Sequence, residues 1–107
     1  LEGAAIAREL PGAMERGDLR LQYQPKVCLD SGKLAGVEAL LRWPGFQGRG
    51  ASPARIVEIA ELTEIIVPLG RWVLREAARQ AREWRGRGLG PFRIAVNFSA
   101  LQLLKTD

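Results

Sequence analysis

The chain has 107 residues, 47% of them hydrophobic and 26% charged, enough apolar material for one small core and unlike a disordered segment. It contains no histidine and one cysteine, Cys28, which excludes histidine-based triads, histidine metal sites and an intrachain disulfide. The net charge is +4; a basic balance favours anionic partners, yet Arg71, Arg75, Arg79, Arg82, Arg85 and Arg87 are mixed with Glu76 and Glu83 along one helical segment, as on a solvated face.

The opening residues, Ala4 to Arg16, space Ala5, Ile6, Leu10 and Met14 as an amphipathic helix. Pro11 and Gly12 should weaken or kink it, and Gly17-Asp18 should end it. Leu19 to Val27 alternates with period two. Leu19, Leu21, Tyr23, Pro25 and Val27 share one face, and Arg20, Gln22, Gln24 and Lys26 share the other. That is a strand, and Pro25 suits an edge because it cannot donate to a ladder. Asp30 to Lys33 makes a turn. The second strand, Leu34 to Trp43, puts Ala35, Val37, Ala39 and Leu41 on one side and Gly36, Glu38, Leu40 and Arg42 on the other.

Pro44 to Gly50 reads as a loop. Ser52-Pro53 opens a helix with an N-cap serine and a first-turn proline, running to about Leu62. Thr63 is expected to cap a second helix that reaches about Gly86. Its apolar stripe holds Ile66, Leu69, Trp72, Val73, Ala77, Gln80, Ala81 and Trp84. At 3.6-residue spacing this is a core face rather than a ligand groove, and the three tryptophans (Trp43, Trp72 and Trp84) are expected to pack. Gly86, Gly88, Gly90 and Pro91 stop the helix. Phe92 to Phe98 is a third strand, bulky at Phe92, Ile94, Val96 and Phe98, small or polar at Arg93, Ala95, Asn97 and Ser99. Leu101 to Leu104 begins another helix.

Strands followed by helices suggest an α/β fold with parallel strands. Strands bulky on one face and small or polar on the other suit a barrel wall covered outside by helices. Chemistry then belongs on the inner face, where Glu38 and Arg42 lie about 13 Å apart along the strand at roughly 3.3 Å per residue. That separation suits two parts of one extended ligand better than an ion pair. A carboxylate in an apolar strand is costly without a partner, a metal or a charged ligand. Without histidine, any metal must take oxygen ligands, which favours Mg²⁺ or Mn²⁺ over Zn²⁺.

Tyr23-Gln24-Pro25, Glu38-Ala39-Leu40-Leu41-Arg42-Trp43, Ala60-Glu61, Leu69-Gly70-Arg71-Trp72-Val73-Leu74, Val96-Asn97-Phe98-Ser99 and Gln102-Leu103 together resemble the EAL domain family of bacterial cyclic di-GMP phosphodiesterases. Each motif is weak alone; their common order and spacing are specific. The resemblance runs from about Leu19 to Leu104. It implies a TIM-like (β/α)8 barrel with an antiparallel first strand, present here as a partial barrel of three strands and associated helices. It implies a site at the strands' C-terminal ends. Glu38 and Asn97 would ligate Mg²⁺ or Mn²⁺, Arg42 would bind a substrate phosphate, Gln24 would line the pocket, and the backbone near Leu40 would border the ligand. Two departures are visible: Pro44-Gly45-Phe46 stands where the family often has His-Pro, and Arg55-Ile56-Val57 where it often has Phe-Ile-Pro.

A whole barrel needs about 250 residues. The family's Asp-Asp-Phe-Gly segment, further glutamates and lysine have no counterpart here, so the chain by itself is expected to be inactive. Residues 1–17 read as a leading helix or linker, compatible with an upstream GGDEF or sensor domain, and 18–107 as the N-terminal portion of the EAL domain. The start at Leu1 rather than Met suggests an excerpt of a longer protein. The expected reaction of the parent is hydrolysis of cyclic di-GMP to pGpG, in the cytoplasm. The alternative is a degenerate, non-catalytic module that binds the dinucleotide or a protein. An open half-barrel exposes strand edges, so self-association is expected. No run reaches the ~20 apolar residues of a membrane span, and no nucleic-acid motif is present.

Overall fold

The computed structural model describes residues 2–47 and 52–96. Helix α1 spans Glu2–Arg16, strand β1 Arg20–Val27 and strand β2 Leu34–Arg42. Three helices follow, α2 at Pro44–Gln47, α3 at Pro53–Leu62 and α4 at Ile66–Gly86, and then strand β3 at Ile94–Val96. The sheet order is β1-β2-β3. β1 pairs antiparallel with β2, with Leu21 opposite Leu41 and Gln24 opposite Glu38. β3 lies parallel to β2, with Glu38 beside Ala95.

The helices cover one side of this sheet. Val37 and Ala39 are buried there, and Leu21, Leu41 and Val96 pack at the margin of the core. Helix α1 joins the same core. Its Ile6, Leu10 and Ala13 are wholly buried together with Ile56, Ile59 and Ala60 of α3. Pro11 lies inside α1 without ending it. An interior proline costs about 3 kcal/mol, whereas each buried Ile or Leu contributes about 1.5–3 kcal/mol, so Ile6 and Leu10 hold the helix through the lost hydrogen bond.

Two local readings of the sequence need correction. The segment after Trp43 begins as the short helix α2 rather than a loop. Its Phe46 is buried and stacks on Trp43, with ring centroids 4.5 Å apart; this packing settles a stretch whose proline and glycine suggest irregular chain. Thr63 does not open α4. It closes α3, its hydroxyl donating to the Ile59 carbonyl at 2.8 Å. The next residue, Glu64, takes a left-handed conformation with φ of 64°, which is how many helices end. Helix α4 then starts at Ile66, behind Ile65, without a side-chain cap. Ser52 behaves as expected, accepting from the Arg55 amide at 3.1 Å.

One glycine lets the sheet close up. A Cβ on Gly36 would lie 2.6 Å from the Arg93 carbonyl oxygen, and that carbonyl accepts from the Val37 amide at 2.8 Å. Only glycine admits the chain so near. On α4, Ile66, Leu69, Gly70, Val73 and Ala77 are buried. Trp84, at the edge of the stripe, meets Tyr23 and Phe92 edge-on at 5.0 and 5.4 Å. Phe98 and Leu101 to Leu104 lie outside the described residues.

Candidate functional site

The other side of the sheet carries the charge. Pairing in register makes Arg20, Gln22, Gln24 and Lys26 of β1 share a face with Gly36, Glu38, Leu40 and Arg42 of β2. Because β1 runs antiparallel, its first residue stands level with the last residue of β2. The Arg20–Arg42 end is therefore the C-terminal end of β2. Glu38 sits at mid-strand, with Ala95 of β3 on one side and Gln24 on the other.

Glu38 is mostly buried, its side chain 19% exposed, and its carboxylate takes Lys26 Nζ at 2.8 Å. Lys26 reaches it diagonally across the strand pair, the geometry by which opposite charges meet on one sheet face. The ammonium remains over half exposed, so water screens the pair and holds its worth to about 1 kcal/mol or less. Arg42 is half-buried. Its Nε donates to Gln22 Oε1 at 2.7 Å and its Nη1 to the Leu41 carbonyl at 3.4 Å. Glu38 and Arg42 do not bond each other, in keeping with their separation along β2. Leu40 lies between them, opposite Gln22.

Four of the five sequence-derived site residues, Gln24, Glu38, Leu40 and Arg42, therefore lie on one uncovered face. Asn97, the fifth, lies outside the described residues. Three neighbours were not singled out from sequence. Lys26 and Gln22 bond the residues that were, and Arg20 stands directly across from Arg42. Alternation puts them on this face, but only the register shows which side chain each meets.

Glu38 offers a hard oxygen donor of the kind Mg²⁺ and Mn²⁺ prefer. Among the described residues, no three of His, Cys, Asp and Glu gather closely enough to hold a metal ion. The donor type fits such a cation, but the donor number is incomplete. An open groove of ≈ 440 Å³ runs along Arg20, Leu21, Gln22, Arg42 and Pro44. An apolar cavity of ≈ 340 Å³ lies on the helix side, among residues such as Ala39, Leu41, Val57, Leu69 and Val73. Its aliphatic lining offers no acidic, basic or metal-ligating side chain.

Two groups away from this face have displaced acidities. Burial pushes the Tyr23 phenol above its usual value, helped by the nearby Glu76 carboxylate and opposed by Arg79. Its hydroxyl is buried without a hydrogen-bond partner. At the exposed tip of the β1–β2 hairpin, the Ser31 hydroxyl and the Ser31 and Asp30 amides pull the Cys28 thiol below its usual value.

A sheet with an antiparallel first strand and helices over one face, its charged side chains on the other, is a partial TIM-like (β/α)8 barrel. Residues 7–107 match the EAL domain family, and the chain belongs to that family. The bifunctional diguanylate cyclase/cyclic di-GMP phosphodiesterase MucR of Pseudomonas aeruginosa is 46% identical over 101 residues, covering 94% of this chain and 15% of that protein. The cyclic di-GMP phosphodiesterase PdeR of Escherichia coli is 41% identical over 91 residues, covering 85% of this chain and 14% of that protein. This chain thus spans only a small part of the curated relatives it matches. Among solved structures, a c-di-GMP complex of the PaMucR phosphodiesterase superposes with a TM-score of 0.76 at 39% identity, over 95% of this chain and 44% of that one. A cGMP-bound form of the EAL enzyme Bd1971 gives 0.74 at 27% identity, over 98% of this chain and 30% of that one.

Proposed function

We propose that this chain is the N-terminal part of a cyclic di-GMP phosphodiesterase domain whose parent opens the cyclic dinucleotide to pGpG. The observation that carries the reading is the placement of Gln24, Glu38, Leu40 and Arg42 together on the one sheet face that helices do not cover. Glu38 and Asn97 hold Mg²⁺ or Mn²⁺ in the complete domain. Strand alternation from Ala95, which lies beside Glu38, is what supports Asn97 in that role. Such a cation, when bound, activates water and neutralises charge on the phosphodiester.

The chain's own residues bind and orient. Arg42 presents a guanidinium suited to a phosphate. Gln22, by accepting from its Nε, fixes the plane of that group. Gln24 lines the pocket and the Leu40 backbone borders the ligand. Lys26 offsets the Glu38 charge.

The chain alone lacks the remaining ligands and is inactive. An upstream GGDEF or sensor domain, self-association through the open sheet, and a cytoplasmic setting complete the proposal. Among the described residues, no helix is long and apolar enough to cross a membrane. A second reading, a non-catalytic dinucleotide-binding module, draws support from the Lys26–Glu38 pair, which satisfies the carboxylate without a metal.

The test is pGpG formation followed by chromatography. With Mg²⁺ or Mn²⁺ the complete parent should turn over cyclic di-GMP, and the 107-residue chain should not. Glu38→Gln in the parent should cut turnover about 100- to 1,000-fold, the several kcal/mol that a metal supplies to the transition state. Binding without turnover by the unmutated parent would favour the second reading; turnover by the 107-residue chain would refute the inactivity.

A further inference from the structure

We infer that Arg20 and Arg42 together form a two-guanidinium phosphate clamp, with Arg20 a binding residue in its own right. This rests in part on the dinucleotide reading above, which concerns Arg42 alone. Arg20 and Arg42 are direct partners in the antiparallel ladder, and both line the groove at the end of β2. Side chains directly opposite on one face have Cβ atoms about 4.5–5.5 Å apart, and like charges so placed repel.

The rest of the face does not tolerate such a conflict. Near the hairpin end, Lys26 pairs with Glu38. Among the described residues the ion pairs of arginines belong to Arg8, Arg16, Arg55, Arg79 and Arg87; neither Arg20 nor Arg42 has a carboxylate. Among the described residues, the one side chain that Arg42 bonds is the neutral Gln22. Two cations facing each other across the ladder, one of them held by a neutral amide, on the wall of an open groove, are arranged for an anion.

The ligand class follows from the groups. Guanidinium forks match phosphate oxygens two at a time. Arg42 lies about 13 Å along β2 from Glu38, a span for an extended ligand with phosphate at one end. A dinucleotide or its linear product meets that description better than a free phosphate. Arg20 enlarges the positive end of the groove and widens its grip beyond what Arg42 does alone.

The complete protein that carries this chain should be titrated calorimetrically, with divalent cations chelated, against cyclic di-GMP, pGpG and inorganic pyrophosphate. Arg20→Ala should weaken binding of each about tenfold, the scale of one charged hydrogen bond, and should flatten the salt dependence. Arg20→Lys should keep the salt dependence and recover only part of the affinity. The melting temperature of ligand-free Arg20→Ala should stay level or rise, because a repulsion is removed. Affinities equal to the unmutated protein, no binding of any of the three probes, or a fall in melting temperature would each overturn the inference. Pyrophosphate binding that depends on Arg20, in a protein that ignores cyclic di-GMP, would keep the clamp and discard the phosphodiesterase reading. Turnover of cyclic di-GMP unaffected by Arg20→Ala would do the reverse.

Discussion

Strand β2 has two faces built on opposite principles. Val37 and Ala39 turn toward the helices and are buried, with Leu41 packed at the margin of the same core. Glu38, Leu40 and Arg42 turn the other way, into a setting of Lys26, Gln22 and Arg20. The first face lowers the free energy of folding. The second gathers charge instead, a mostly buried carboxylate paired with Lys26 and two arginines that face each other across the ladder. Under the proposed function, a substitution on either face should disturb mainly its own property, stability on the helix side and ligand binding on the charged side.

The hardest test of that separation is Phe46→Ala, on the helix side. It should lower unfolding stability by about 3–5 kcal/mol in urea titrations, while the folded fraction keeps its affinity for phosphate ligands. A parallel loss of affinity per folded molecule would join the two faces. Gly36→Ala is more selective. Its Cβ meets the Arg93 carbonyl, so overpacking should cost about 1–3 kcal/mol and loosen β3 from β2. Hydrogen exchange of the Val37 amide, bonded to that carbonyl, should speed up more than exchange along the β1–β2 ladder.

The smallest effect belongs to Tyr23→Phe. A buried hydroxyl without a partner costs stability, so its removal should be neutral or stabilising by up to about 1 kcal/mol. The phenol's pKa is displaced upward from 10.0, chiefly by burial. A group whose folded value is raised contributes fully below its unfolded value and loses that contribution as pH climbs past it. The unmutated chain should therefore lose stability above about pH 10, and Tyr23→Phe should flatten that alkaline limb in thermal melts.

Much of this was legible in the sequence because the periods are clean. Alternation from Arg20 to Lys26 and from Gly36 to Arg42 matches the faces that pair in the ladder, up to the register shift at Val27, which stands opposite Leu34. Ser52-Pro53 marked the start of α3, and the α4 stripe marked the buried Ile66, Leu69, Val73 and Ala77 but not Gly70. What escaped depends on contacts distant in sequence or on backbone geometry. Thr63 is a good cap at either end of a helix, and only the left-handed turn at Glu64 shows which helix it serves. The helix at Pro44–Gln47 exists because Phe46 finds Trp43. The Lys26–Glu38 pair and the Arg20–Arg42 opposition follow from register, which a hairpin fixes and a period of two does not.

The hairpin tip offers a practical consequence. Cys28 is the chain's sole thiol; it is exposed, and its acidity is raised by Ser31, so it should react with maleimides more readily than an ordinary cysteine near neutral pH. Eight residues of extended strand separate it from Arg20, about 26 Å. A fluorophore placed there would stand well clear of the groove and still report on it, its energy transfer to a labelled nucleotide measuring where the ligand settles along the sheet.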